Sequence, residues 1–154
     1  MLKAITLWEP YASLMAIGAK INETRGVRTA HRGEIAIHAA MKEDGTPEEL
    51  VPDIIRAFQS RNMLPDPNSL GCIVAVVDLW DVQPAVKFYC EPATTDPFCI
   101  TAEEFKFGNY SPGRFVYRTR NLRRLATPVR CRGAQCIGWG VPPNIEAKVR
   151  AQLV

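Results

Sequence analysis

The run Cys72-Ile-Val-Ala-Val-Val77 is the longest apolar stretch in the chain, and it opens a Val- and Ile-rich segment that continues to Val82. A strand covered on one face alternates apolar and polar residues, so an unbroken start to Gly71–Val82 calls for burial on both faces. The segment therefore belongs inside a sheet, with packing above and below it. Its six apolar residues fall far short of the ~20 that a membrane helix needs. The first residues carry Lys3 and Glu9 where a signal peptide would be apolar. A cytoplasmic protein without membrane contact is the expectation.

Shorter elements flank this segment. Lys3–Trp8 reads as a first strand, and Glu9-Pro10 opens a helix with Pro10 at the first helical position, where its missing N–H costs nothing. Tyr11, Leu14, Met15 and Gly18 give that helix one apolar side, and Gly18 is placed to stop it. Ile21–Arg25 is extended, and a second strand runs from Gly33 to His38. Thr46-Pro47-Glu48-Glu49 has the form of a capping box, predicting a helix from about Pro47 to Ser60 with Leu50, Ile54, Ile55 and Phe58 on one face. Leu64–Ser69 is a loop, and the stretch 83–97, with Pro84, Pro92 and Pro97, is irregular. Thr101–Glu104 forms another capping box, starting a short helix that Gly108 ends. Arg114–Leu122 alternates as a half-exposed strand, Cys136–Val141 is a last strand, and a short helix follows from the Pro142–Asn144 region.

Short strands, a few helices and no regular βαβ spacing indicate an α+β chain: a mixed β-barrel of about five to seven strands with peripheral short helices. With 154 residues, the chain fits one domain, 1–154. A domain of this size buries roughly two-thirds of its unfolded surface, so it needs no metal or disulfide to fold. No cofactor and no resident metal are expected. Cys72, Cys90, Cys99, Cys131 and Cys136 contain no CxxC pair. A zinc site from the last four is conceivable, but reduced and mostly buried thiols fit the spacing better.

Charge is distributed unevenly. Residues 1–104 hold nine Lys and Arg against fifteen Asp and Glu, a net −6, whereas residues 105–154 hold ten basic residues and the single acid Glu146, a net +9. Arg114, Arg118, Arg120, Arg123, Arg124, Arg130 and Arg132 fall within one short segment with no carboxylate among them. Such a stripe repels itself unless it meets an anionic partner or is balanced in space by the acidic first part.

The densest chemical cluster is Gly18-Ala-Lys20-Ile-Asn-Glu23-Thr-Arg25. On an extended segment Glu23 and Arg25 share a face, roughly 7 Å apart along the strand. Lys20 lies at the bend, where the negative end of the preceding helix favours a cation. Glu23 can orient either donor while both reach a phosphate, a carbonyl or a base edge. An ion pair that merely caps the helix is the plainer alternative. His38, in a strand rich in Ala and Ile, reads as a satisfied core histidine, and His31 as a solvated turn residue.

Three segments in order, TLWEPYASL (Thr6–Leu14), Gly18-x-Lys20-x-x-Glu23-x-Arg25 and RGEIAIHAA (Arg32–Ala40), resemble the opening of an ASCH domain. FGNYSPGRF (Phe107–Phe115) is similar to the stretch entering the late barrel strand of that family. The resemblance implies a PUA-like barrel, a fold whose relatives bind RNA or modified nucleobases. It implies a cleft beside the first helix lined by Lys20, Glu23 and Arg25, with Trp8, Pro10 and Tyr11 as one wall and Tyr110, Ser111 and Arg114 closing the other side. An aromatic wall of that kind can stack on a base. Arg118, Arg120, Arg123, Arg124, Arg130 and Arg132 would supply an outer nucleic-acid surface, for RNA first and DNA also.

Some ASCH proteins are enzymes, one branch being an amidohydrolase that uses a lysine and a threonine of the signature. Lys20 matches that lysine, but Glu23 stands where the threonine would be, and Thr24 points to the opposite face. If the chain were an enzyme on a modified nucleoside or on RNA, Lys20 and Glu23 would be its catalytic residues. A protein-interaction module docking an acidic partner on the basic strand is the third expectation. Oligomeric state is left open.

Overall fold

The computed structural model describes residues 1–43, 46–92 and 94–154. Its strands are β1 (Lys3–Glu9), β2 (Asn22–Arg25), β3 (Gly33–Glu43), β4 (Cys72–Pro84), β5 (Phe115–Arg130) and β6 (Trp139–Gly140). Its helices are α1 (Tyr11–Ala16), α2 (Val51–Gln59), α3 (Ala102–Lys106) and α4 (Pro143–Ala151). All six strands form one mixed sheet in the order β2-β5-β4-β3-β1-β6, parallel only between β1 and β3. The protein is thus α+β, a six-stranded mixed sheet with short helices around it.

β4 lies in the interior of the sheet, antiparallel to β3 on one side and β5 on the other. Its two faces feed two separate cores. Val74, Val77, Leu79 and Val82 pack with Ile5, Leu7, Ile35, Ile37, Tyr117 and the α1 residues Ala12 and Met15. Ile73 and Val76 pack with Leu2, Ala36, Leu125, Val129, Trp139 and Val149 of α4. The unbroken apolar run follows from this double burial. β5 pairs with β4 through three register shifts, one beside Asn121 at φ 54°, and such bulges bend and twist a sheet.

Several elements depart from their sequence expectations for identifiable reasons. Pro10 precedes α1 as its cap residue, and the Glu9 carboxylate accepts the Ser13 N–H (2.8 Å) and the hydroxyls of Ser13 and Ser69 (2.6 Å from the latter). The Thr46–Glu49 box does not cap a helix; a 3-10 turn over Glu48–Leu50 precedes α2, which starts at Val51 because Pro52 fits only a first turn. β5 extends beyond Leu122 to Arg130, with Leu125 and Val129 packed into the core beside Ile73 and Val76 and Arg123 bonded to acids across the sheet. Arg123 donates to Glu34 (2.8 Å) and Asp78 (2.7 Å), and Arg150 of α4 also reaches Glu34 (3.1 Å). Burial alone would raise the Glu34 carboxyl, but hydrogen bonds from Arg150 and Arg123 outweigh it and hold it below the usual range. The last strand shrinks to Trp139–Gly140 beside β1. Only Cys72 and Cys131 are buried among the five free cysteines, Cys90 and Cys136 being exposed.

Gly18 ends α1 as expected, at φ 80°, with the Ala19 and Lys20 N–H groups returning to the Leu14 carbonyl (3.0 and 3.1 Å). The next two N–H groups are held from far along the chain. The Glu104 carboxylate, 6 % exposed, accepts from Ile21 (2.9 Å) and Asn22 (2.7 Å). Thr101 caps α3 by accepting the Glu104 N–H, but the Glu104 side chain leaves the box to clamp this turn. Replacing Glu104 with Ala should orphan those two donors and cost about 1–3 kcal/mol, seen as a lower urea midpoint at unchanged slope. Glu103→Ala, on a half-buried side chain whose one ion pair among the described residues is a loose 3.9 Å contact with Arg61, should stay within about 0.5 kcal/mol.

Candidate functional site

The pleat of β2 places alternate residues on opposite faces, and the clamped turn fixes its start. Glu23 and Arg25 share one face and bond directly, Arg25 Nε donating to Glu23 Oε2 at 3.1 Å. Arg25 Nη2 donates to the Thr6 carbonyl of β1, so a side chain spans from edge strand β2 to β1. Thr24 points the other way, buried, its hydroxyl oxygen accepting the Asn109 N–H at 3.0 Å and its carbonyl accepting from Arg114 Nη2 at 2.9 Å.

These residues floor a cleft of about 1080 Å³. One wall is the end of β1 with the start of α1: Thr6, Leu7, Trp8 and Tyr11. Arg114 stands beside Thr24 at the mouth. The opposite wall comes from the end of β3 (Ala40, Met41, Lys42), Gly71 before β4, and Arg130 to Gln135. Trp8 is 56 % exposed although it borders this concave surface. Gly71, at φ 72°, leaves room for Met41, whose Sδ would sit 2.2 Å from a Cβ there. A larger residue would push Met41 and the neighbouring Arg130 out of place.

The structure gathers Trp8, Tyr11, Glu23, Arg25 and Arg114 around one cavity and separates the others. Lys20 is 2 % exposed and does not line the cleft; its Nζ donates to the Phe107 carbonyl (2.8 Å) and lies 3.6 Å from Glu23 Oε1. It thus supports Glu23 from behind. Pro10 borders a different, smaller cavity of about 280 Å³ with Glu9, Ser13 and Ser69. Tyr110 stacks on Phe105 (4.9 Å) and leans on Phe88 (5.9 Å), and burial raises its hydroxyl pKa. Ser111 is exposed and bonds to Asn109.

The arginine stripe divides in the same way. Arg118 is packed against Trp80, Phe88 and Phe98 and paired with Asp81 at 3.7 Å. Arg120 sits over Trp80 at 5.7 Å, Arg123 is neutralised by Glu34 and Asp78, and Arg124 lines another small cavity near Met63. Arg130 and Arg132 reach the cleft, where neither has a carboxylate partner among the described side chains. Lys42 joins them from β3.

His38 lies at the cleft floor, 1 % exposed, with Nε2 2.7 Å from the Cys131 carbonyl and Nδ1 3.2 Å from Thr6 Oγ1. His31, expected in solvent, instead meets the Glu34 carbonyl at 2.9 Å. Lys42, Met41 and the 131–135 segment carry no motif, and only the glycines at 71 and 133 signal from sequence that backbone must come close there. The chain matches no protein-family model and none of the curated proteins.

Burial holds the His38 imidazole below its ordinary 6.5, the Cys131 and Gly71 carbonyls offsetting only part of the effect. The unfolded chain takes up a proton near 6.5 that the folded one refuses. Stability from this group is therefore intact above that pH and is lost below it, by at most about 1.4 kcal/mol per pH unit. In urea unfolding, the stability advantage of wild type over His38→Gln should shrink between about pH 7 and pH 5. A constant advantage would show that His38 is not held neutral.

Proposed function

We propose that this chain binds RNA or a nucleotide-like anionic ligand in the cleft above Glu23 and Arg25, as an ASCH-type, PUA-like module. The observation that carries this function is the meeting of an exposed aromatic, Trp8, with Arg114, Arg130, Arg132 and Lys42 around one cavity of about 1080 Å³. A base has a π-face for Trp8 to stack on, and its phosphate finds cations with no carboxylate partner among the described side chains. Glu23, held by Arg25 and Lys20, offers the acceptor that a base edge with amino or imino donors needs.

The resemblance of the signature segment to ASCH domains points to the same place, since Glu23, Arg25, Trp8 and Tyr11 border the cleft. A PUA-like barrel is the finer form of the sheet in this proposal, and the Arg25 link from β2 to β1 supports that curvature. Chemistry through Lys20 draws no support, because its ammonium is spent on Phe107 and Glu23 inside the protein.

Fluorescence anisotropy with a labelled single-stranded RNA, titrated at several salt concentrations, tests the proposal. Affinity should fall with salt, and the Arg130→Ala/Arg132→Ala double variant should lower the log–log slope by about 1–2. Trp8→Ala should weaken binding by about 1–3 kcal/mol, whereas Arg123→Ala should cost stability rather than affinity. A flat salt response, or equal loss from Arg123→Ala and the double variant, would reject the cleft as the site.

A further inference from the structure

The hydrogen-bond directions around His38 are fixed by chemistry. The Cys131 carbonyl can only accept, so Nε2, 2.7 Å away, carries the ring proton. In the neutral imidazole Nδ1 is then a bare lone pair, and its 3.2 Å partner, Thr6 Oγ1, must donate to it. Trp139 Nε1–H has nothing but donation to offer and gives its hydrogen bond to the same Thr6 oxygen at 3.1 Å. The chain Trp139 N–H to Thr6 O–H to His38 Nδ1, with Nε2–H to Cys131, has one consistent polarity. It leaves the Thr6 hydroxyl proton aimed at a base whose far side is braced by a carbonyl.

That arrangement has the parts of an activated hydroxyl: a nucleophile, a neutral imidazole within reach and a third group orienting the imidazole. Exposure is graded as such a pair requires, Thr6 being partly exposed and His38 1 % exposed, with both on the wall of the large cleft. A Cβ on Gly133 would stand 2.8 Å from His38 Nδ1 and 3.0 Å from Thr6 Oγ1, so only glycine lets the 132–135 segment come this close to the pair. Arg25 places a cation next to Thr6 through its bond to the Thr6 carbonyl. Burial keeps His38 in its neutral, proton-accepting form at neutral pH.

We propose that Thr6 and His38 form a nucleophile–base pair that transfers the acyl group of an ester bound in the cleft. Thr6 Oγ1 adds to the ester carbonyl carbon as its proton passes to His38 Nδ1. The tetrahedral adduct, its charge facing Arg25, expels the alcohol, which takes the proton back from His38. Water then attacks the acyl-threonine with His38 again accepting a proton, the carboxylic acid leaves, and Thr6 regains its hydrogen. Ester and water give acid and alcohol, with no other reactant. The pair shares the cleft with the binding function proposed above but does not depend on a nucleotide occupying it.

The test uses p-nitrophenyl acetate with the full chain, followed by acid quench and peptide mapping by tandem mass spectrometry. The expected result is a burst of p-nitrophenolate and an acetyl group on Thr6. Thr6→Ser should retain both, Thr6→Val should lose both, and His38→Gln should slow the burst by about 100-fold or more. Acetyl found only on cysteine or lysine of folded wild-type protein would overturn the proposal, and so would a Thr6 burst unchanged in His38→Gln. The wild-type map decides the matter even if a variant fails to fold. RNA anisotropy on the same samples separates the two proposals: acylation without RNA binding defeats only the binding function, and binding without a Thr6 adduct defeats only this one.

Discussion

A strand with apolar side chains on both faces can rest only between two cores, and β4 imposes that condition on everything around it. Neighbours are required along both of its edges, which β3 and β5 provide. Cover is required on both faces, which α1 provides on one and α4 with Trp139 on the other. Because β1 joins β3 in parallel, the intervening chain must return to the starting end of the sheet, and α1 and the turn at Gly18 lie on that return. The cleft arises where the ends of β1 and β3 and the 130–135 segment leave this packed middle.

Electrostatics then sorts the arginines. β5 runs antiparallel to β4, so the basic stripe passes over Asp78 and Asp81, while Glu34 approaches from β3. Arg118, Arg120 and Arg123 are consumed by these acids or by the rings of Trp80, Phe88 and Phe98. Where β5 runs out, at Arg130 and Arg132, positive charge reaches the cleft with no carboxylate partner among the described side chains. Local pairing, rather than the count of arginines, determines where an anion would find a welcome.

Much of this organisation is legible in the sequence where one local rule decides it. The Val- and Ile-rich run fixes β4, Gly18 fixes the end of α1, and the pleat fixes which way Glu23, Thr24 and Arg25 point. What escapes is settled by partners distant in sequence. Nothing near Lys20 announces that the Phe107 carbonyl will draw its ammonium inward. Glu104 looks like half of a capping box until its carboxylate is seen on Ile21 and Asn22. The far wall of the cleft carries no motif, because Met41, Lys42 and Gln135 serve it by position and not by pattern. Pro52 shows the opposite case, a local signal that overrules the Thr46–Glu49 box.

The polar chain at the cleft floor joins residues from both ends of the fold, Trp139 to Thr6 and Cys131 to His38, across 133 and 93 positions. Such distant closures are costly in loop entropy and come late in folding. During synthesis the β1–β3 portion emerges long before residue 139, so a nascent chain can build much of its sheet while the cleft still lacks its far wall. The pocket is therefore absent until residues 130–139 have joined the sheet, and an intermediate without them presents neither Arg130 and Arg132 nor a braced His38 to whatever it meets.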